Sequence, residues 1–190
     1  MIRLIVFLGN KGSQYARTRH NSGWMFLDSL IEFPGAITWQ EKFNALWTRT
    51  TVGKVPCIFL KPMTYMNESG KSVGAVSRYF SLQPEEILIV HDDIEMPLKS
   101  AKLQFGGGLG GHNGLKSIKE ALGTTDFVRL RIGVGRPVRE DVASYVLSRF
   151  ATMEEAVLPL LFDEVGKLLE QWFEQGCPAE SLPIKFALPS

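Results

Sequence analysis

The sequence predicts an α/β fold: one globular domain over residues 1–190, built on a mixed β-sheet with helices on both faces. Three observations lead there. Apolar runs of strand length at 2–8 and 86–91 stop at polar residues, Gly9-Asn10 and Asp92-Asp93, as buried strands do. Apolar residues at helical spacing lie between and after these runs, so strands and helices alternate. A hairpin adds antiparallel pairing, which makes the sheet mixed and covered on both faces.

The elements follow in order. Residues 2–8 read as a buried strand. Asn21-Ser22 is a helix-capping pair ahead of Trp24, Leu27, Leu30 and Ile31, which share one helical face. The runs 43–50 and 55–61 form the hairpin, with Gly53 in its turn. Residues 68–80 place Val73, Val76 and Phe80 on a helix, and 86–91 form a second buried strand. A strand at 100–105, a glycine cluster at 106–111 and a helix to about 122 come next. Residues 127–134 alternate with period two, predicting a strand with one wet, basic face. A short helix near 141–147 and a long one over 152–175 precede a tail marked by Pro178, Pro183 and Pro189.

Composition narrows the class. Hydrophobic residues make up 45% and charged residues 22%, which argues against disorder and collagen-like or disulfide scaffolds. No run approaches the roughly 18 apolar residues of a membrane helix, and Met1–Leu8 is too short for a signal peptide. Cys57 and Cys177 show no CxxC pattern, which points to a reducing compartment and a cytoplasmic location.

The chemistry-bearing residues gather beside strand ends. The three histidines, His20, His91 and His112, all fall there or in Gly- and Asn-rich loops, where α/β folds place function. Asn10 follows the first strand, and its segment also holds Tyr15 and His20. Asn67, in the run Lys61-Pro62-Met63-Thr64-Tyr65-Met66-Asn67, is either an N-cap or an amide presented to a ligand. Asp92 ends the second buried strand, as a carboxylate that orients a histidine would. Gly106, Gly108 and Gly111 match G-x-G-x-x-G, but the motif sits mid-chain without its acidic partner, which speaks against a dinucleotide site. There is no G-x-S-x-G elbow, HExxH or Walker loop. His20, Asp92 and the amides Asn10, Asn67 and Asn113 remain. A histidine base, a carboxylate to hold its tautomer and amides to grip carbonyls suit hydrolysis of an ester or amide in a peptide-like ligand. No metal or cofactor is expected. Two other readings stand beside it: a metal-dependent phosphoesterase using His91, Asp92, Asp93, Glu95 and His112, and an RNA-binding module without catalysis.

These residues carry a resemblance. Leu8-Gly9-Asn10 with Gly12 and Tyr15, Thr18-Arg19-His20-Asn21, Lys61-Pro62 with Thr64 and Met66-Asn67, His91-Asp92-Asp93, and Gly110-Gly111-His112-Asn113-Gly114-Leu115-Lys116 resemble, in order and spacing, bacterial-type peptidyl-tRNA hydrolases over nearly the whole chain. The resemblance implies a monomeric α/β globule with a twisted mixed sheet and no obligate protein partner. It implies cleavage of the ester joining a peptide's C-terminus to the 3′ ribose of tRNA. His20 would be the general base, Asp92 its support, and Asn10 the residue discriminating peptidyl from aminoacyl substrate. Met66, Asn67 and Asn113 would hold substrate, with Tyr15 and Tyr65 around the tRNA end.

Two positions depart from the family pattern. Lys11 stands where proline is common, and Gln104 where a basic residue often faces tRNA. Lys102, Arg131, Arg136 and Arg139 are the phosphate-contact candidates. The net charge of +1 conceals an asymmetry. Residues 1–150 hold 19 basic and 13 acidic side chains, while 151–190 hold 2 and 7. Residues 97–139 alone hold 8 against 2, which predicts a basic face beside the site.

Overall fold

The computed structural model describes residues 1–31, 37–139 and 141–189. Its strands are β1 (Leu4–Phe7), β2 (Gln40–Lys42), β3 (Ala45–Val52), β4 (Val55–Pro62), β5 (Ile87–Asp93), β6 (Ser100–Phe105), β7 (Val128–Gly133) and β8 (Ile184–Ala187). Its helices are α1 (Ser22–Ile31), α2 (Ser69–Phe80), α3 (Asn113–Leu122), α4 (Val142–Val146), α5 (Thr152–Glu155) and α6 (Leu158–Glu174). The strands form one sheet in the order β2-β3-β4-β1-β5-β7-β6-β8. The centre, β4-β1-β5-β7, is parallel, and antiparallel pairs flank it on both sides.

Alternation along the central strands divides the core in two. Ile5, Phe7, Leu88 and Val90 face Phe26 and Leu27 of α1 and Phe162, Val165 and Leu169 of α6. Leu4, Val6, Ile87 and Ile89 face Val73 and Val76 of α2 and Leu115 and Ile118 of α3. Helices on both faces hide the central strands completely, so these read as continuous apolar runs. The carboxyl ends of β1 and β5 lie side by side, which is where an open α/β sheet leaves a crevice.

The structure departs from the sequence reading in four places. The proline-marked tail contains β8, whose Ile184 and Phe186 pack on the core while its backbone pairs with β6. The edge strand β2 is short, polar and exposed, and its Gln-Glu-Lys run carries no apolar signal. The long helix of 152–175 is broken into α5 and α6, with Pro159 in the first turn of α6, where its missing N–H costs nothing. The face of β7 expected to be wet is largely closed: Arg129 is 2% exposed and Arg131 is ion-paired.

Candidate active site

Asp92 is the penultimate residue of β5, with its side chain 2% exposed. Its Oδ1 meets two imidazoles, His20 Nδ1 at 2.9 Å and His112 Nε2 at 3.0 Å. The hydrogen-bond network assigns both tautomers. His112 is the N-cap of α3, and its Nδ1 accepts the backbone N–H groups of Gly114 and Leu115 at 3.1 and 3.3 Å. That nitrogen therefore carries a lone pair, and Nε2–H donates to Asp92. His20 likewise gives Nδ1–H to Asp92, which leaves its Nε2 lone pair free. His91 gives Nδ1–H to the Asp92 carbonyl at 2.7 Å, and its Nε2 is buried without a partner among the described residues. Burial, then repulsion from His112 and Arg129, pushes His91 down to about 3, so it stays neutral.

Electrostatics set His20 and Asp92 apart from ordinary surface groups. Burial works against the Asp92 anion, but attraction to His20 and His112 outweighs it and holds the carboxyl well below its usual range. Burial also works against the His20 cation. The Asp92 charge and hydrogen bond overcome it, so His20 titrates above its ordinary 6.5.

The segment after β1 is fixed by Asn21, whose place ahead of a helix predicts a cap. Asn21 does not open α1; its Oδ1 accepts Asn10 N–H at 2.9 Å and its Nδ2 donates to the Asn10 carbonyl at 3.0 Å. Asn10 Oδ1 in turn accepts Met66 N–H at 2.7 Å. This leaves the Asn10 Nδ2 donors without a partner among the described residues. Met66 is buried, and Asn67 and Tyr65 are exposed beside it. Asn113 is exposed at the first turn of α3, directly after His112. Lys11, the first departure, holds its Nζ 5.0 Å from the Tyr65 ring centre. Tyr15 is half-buried in the turn Ser13–Tyr15 that leads towards His20.

Two further supports carry no chemistry themselves. Buried Arg19 donates to Ser148 Oγ and the Arg149 carbonyl and pairs with Glu154. It thereby ties the His20 turn to the segment joining α4 and α5. Gly110 and Gly111 both have positive φ, 57° and 75°, which bends the loop so that His112 enters α3 facing Asp92. His112 stands in the family motif, but the one specific role the sequence suggests for it is that of a metal ligand. Its position immediately before the helix at 113 was the available signal, since that is where a cap stands.

A metal fits this cluster poorly. His20, Asp92 and His112 offer ligand atoms within 4.8 Å of one another. A ligating histidine normally gives its other N–H to an acceptor. The other nitrogen of His112 faces two N–H donors, so a metal on Nε2 would force a proton against them. The remaining acids of the phosphoesterase reading are engaged elsewhere, Asp93 with Arg131 at 2.7 Å and Glu95 with Arg136 at 3.0 Å. Cys57 is core, its thiol pushed up by burial to about 12.

The basic candidates are therefore unequal. Arg131 and Arg136 are neutralised by those acids, while Arg139 is exposed and Lys102 half-buried. Gln104, the second departure, accepts Arg131 Nη1 at 2.8 Å and donates to the Gly106 carbonyl at 3.1 Å. Beside His20, His91, Asp92 and Asn113 opens a cavity of about 410 Å³, walled by Leu109 and Val146.

Sheet, crevice and relatives together define a hydrolase acting on ester bonds. The Peptidyl-tRNA hydrolase family profile matches residues 4–185. The peptidyl-tRNA hydrolase of Lactobacillus delbrueckii subsp. bulgaricus is 41% identical over 185 residues, covering 97% of this chain and all of that one. That of Geobacter metallireducens is 44% identical over 176 residues, covering 93% and 91%. The crystal structure of peptidyl-tRNA hydrolase from Acinetobacter baumannii superposes with a TM-score of 0.84 at 39% identity, over 92% of this chain and 89% of that one. The chain belongs to the peptidyl-tRNA hydrolase family. Among the described residues no helix is long and apolar enough to cross a membrane.

Proposed function

We propose that this chain hydrolyses the ester between a peptide's C-terminus and the 3′ ribose of tRNA, with His20 as general base. One observation carries the proposal: His20 Nδ1 meets the Asp92 carboxylate at 2.9 Å, and its Nε2 has no partner among the described residues. Water held at Nε2 attacks the ester carbonyl carbon while its proton passes to His20. The carbonyl π-electrons move to oxygen, where amide N–H donors suited to an oxyanion stand at Asn10 and Asn113. Collapse expels the 3′ oxygen, which takes the proton back from the imidazolium. Free peptide acid and tRNA result, and no atom beyond one water is consumed. Asp92 stabilises the imidazolium through a hydrogen bond at 2.9 Å.

Asn67 and the backbone around Met66 line the same side as Asn10 and suit the peptide end. Tyr15 and Tyr65 offer rings on which the terminal adenine stacks. Lys102 and Arg139 remain as phosphate contacts. The reading carries with it a cytoplasmic, monomeric enzyme working without cofactor. In the test, His20→Ala is assayed on N-acetyl-aminoacyl-tRNA. We expect kcat to fall about 10²–10⁴-fold, the usual contribution of a general base, with the circular dichroism spectrum unchanged. Turnover at the wild-type rate would remove His20 from the mechanism.

A further inference from the structure

The turn after β1 carries a cation beside the site. Lys11 follows Asn10 directly, so their Cα atoms stand about 3.8 Å apart. The Lys11 backbone N–H donates to the Thr64 carbonyl at 3.3 Å. Asn10 Oδ1 accepts Met66 N–H at 2.7 Å. Two bonds thus hold the turn against the segment 64–66. Over that seam stands Lys11 Nζ, 5.0 Å from the centre of the exposed Tyr65 ring. Proline, common at this position in the family, would bring neither the N–H nor the charge.

The charge at Nζ is not cancelled by its neighbours. Glu68 feels it, but Glu68 is bound to Lys71 at 2.5 Å. The hydrogen bond and charge of Lys71, and then the charge of Lys11, hold the Glu68 carboxyl below its usual range. Two ammonium groups and one carboxylate leave a net charge of +1 beside Asn10 and Asn67. An acyl group whose carbonyl meets Asn10 has its α-nitrogen two bonds from the carbonyl carbon. In a peptidyl ester that nitrogen is a neutral amide. In an aminoacyl ester it is an amine, and an ordinary α-amine is charged below about pH 7.7–8.0. The Lys11 ammonium, on the order of 10 Å away, repels only the second. Two unit charges at that distance change an equilibrium about twofold in a water-like dielectric, and more as the surroundings dry.

We propose that Lys11 is a specificity-determining residue of this chain: its ammonium disfavours esters with a free α-ammonium and so favours N-blocked, peptidyl substrates. The repulsion adds to whatever Asn10 reads by hydrogen bonding. Selectivity is a difference between two affinities, so a solvated side chain can set it by opposing the wrong substrate without gripping the right one. The inference rests on the peptidyl-tRNA reading above, and the experiment keeps the two apart.

Wild type, Lys11→Gln, Lys11→Glu and Lys11→Arg are assayed on one tRNA carrying the same amino acid with and without an N-acetyl group, the uncatalysed rate being subtracted. The readout is the ratio of the two kcat/KM values, N-acetyl over free amine. Both substrates share the tRNA and the His20 base, so phosphate contacts, the ionisation of His20 and any general loss of activity cancel in it. The first condition is about pH 7 and about 10 mM salt, where the Debye length is about 30 Å. There the ratio should fall about two- to fivefold in Lys11→Gln and further in Lys11→Glu. In Lys11→Arg it should stay at the wild-type value. At about pH 9, where the amine is neutral, and in about 1 M salt, all four proteins should give the same ratio. A ratio in Lys11→Gln equal to wild type at pH 7 and low salt would overturn the proposal. So would a difference that persists at pH 9, which means the shape of the turn and not its charge. If wild type cleaves neither substrate, the hydrolase reading fails by itself. The ratio of Kd values for the two charged tRNAs then decides the role of Lys11, with a change in Lys11→Gln expected and an equal ratio refuting it.

Discussion

Asp92→Asn isolates charge from geometry at the centre of the site. The amide oxygen of asparagine can still accept Nδ1–H of His20 and Nε2–H of His112, which now meet on Oδ1 at 2.9 and 3.0 Å. Only the negative charge is lost. A hydrogen bond to a charged group contributes about 1.5–3 kcal/mol and a neutral one about 0.5–1.5, so the imidazolium loses about 1–2 kcal/mol. At 1.36 kcal/mol per tenfold, kcat should drop about 5- to 30-fold on the plateau of the pH profile. The sign of the pH shift follows from the opposing influences on His20. In the wild type Asp92 outweighs burial and raises the pKa above 6.5, so the neutral base forms, and activity rises, as pH passes through a value above 6.5. With the charge gone burial remains, and the acid limb should move below 6.5, by about one unit for each 1.36 kcal/mol. Linkage gives a parallel signature. The raised pKa stabilises the fold fully below 6.5, and that contribution fades as pH climbs through the folded value. The variant should lose it in the same window. The assay is kcat/KM for N-acetyl-aminoacyl-tRNA from about pH 5 to 9, with Tm at each pH. An acid limb that stays in place or moves upward would refute the account of His20 as a base held up by Asp92.

Two other substitutions follow from the same geometry. His112→Asn keeps an acceptor at the N-cap of α3 but cannot reach Asp92. Its Tm should stay near wild type while kcat falls about tenfold, whereas His112→Ala should also lose about 1 kcal/mol of stability; equal Tm in the two variants would contradict the capping role. Gly70→Ala would put a Cβ 2.0 Å from the Ser117 carbonyl oxygen, where α2 touches α3. Overpacking of that kind costs about 1–3 kcal/mol, so Tm should fall by several degrees, and KM should rise because α3 carries Asn113 away from Met66.

The sequence disclosed the site more fully than its supports. Buried strands ending in Asn10 and Asp92 were legible because complete burial makes apolar runs with abrupt polar ends. His20 was legible from its turn. The role of Asn21 was hidden, because a residue before a helix reads as a cap, and only the fold shows its amide folded back onto Asn10. His112 was hidden because capping by an imidazole is uncommon, while histidine near acids suggests metal. The polar strand β2 and the tail strand β8 left almost no periodic signal, since a neighbour's backbone fixes them more than their own apolar residues do. Arg129 and Arg131 alternate as a wet face should. Yet the Gly106 and Gly108 carbonyls take one guanidinium and Asp93 the other. Period two identifies two faces, but it does not say that the polar one is free.

The same limit applies to charge counted along the chain. Residues 151–190 are acidic by five, and Lys185 was counted among them. The fold separates it from that company. The acidic side chains Asp163, Glu164, Glu170 and Glu174 ride on α6, which packs against the Phe7 and Val90 side of the sheet. Ile184 and Phe186 point to that side too, so Lys185 points to the other. A helix packs about 10 Å from its neighbour and its outer side chains lie about 5 Å further. That distance exceeds the Debye length of about 8 Å at physiological salt. Asp163 and Glu164 are in addition occupied by Lys167. The acidic helix therefore cancels the basic body only in the sum. Lys185 lies on the side of the sheet away from the α6 acids, and deleting the negative charges of α6 should leave tRNA binding almost unchanged.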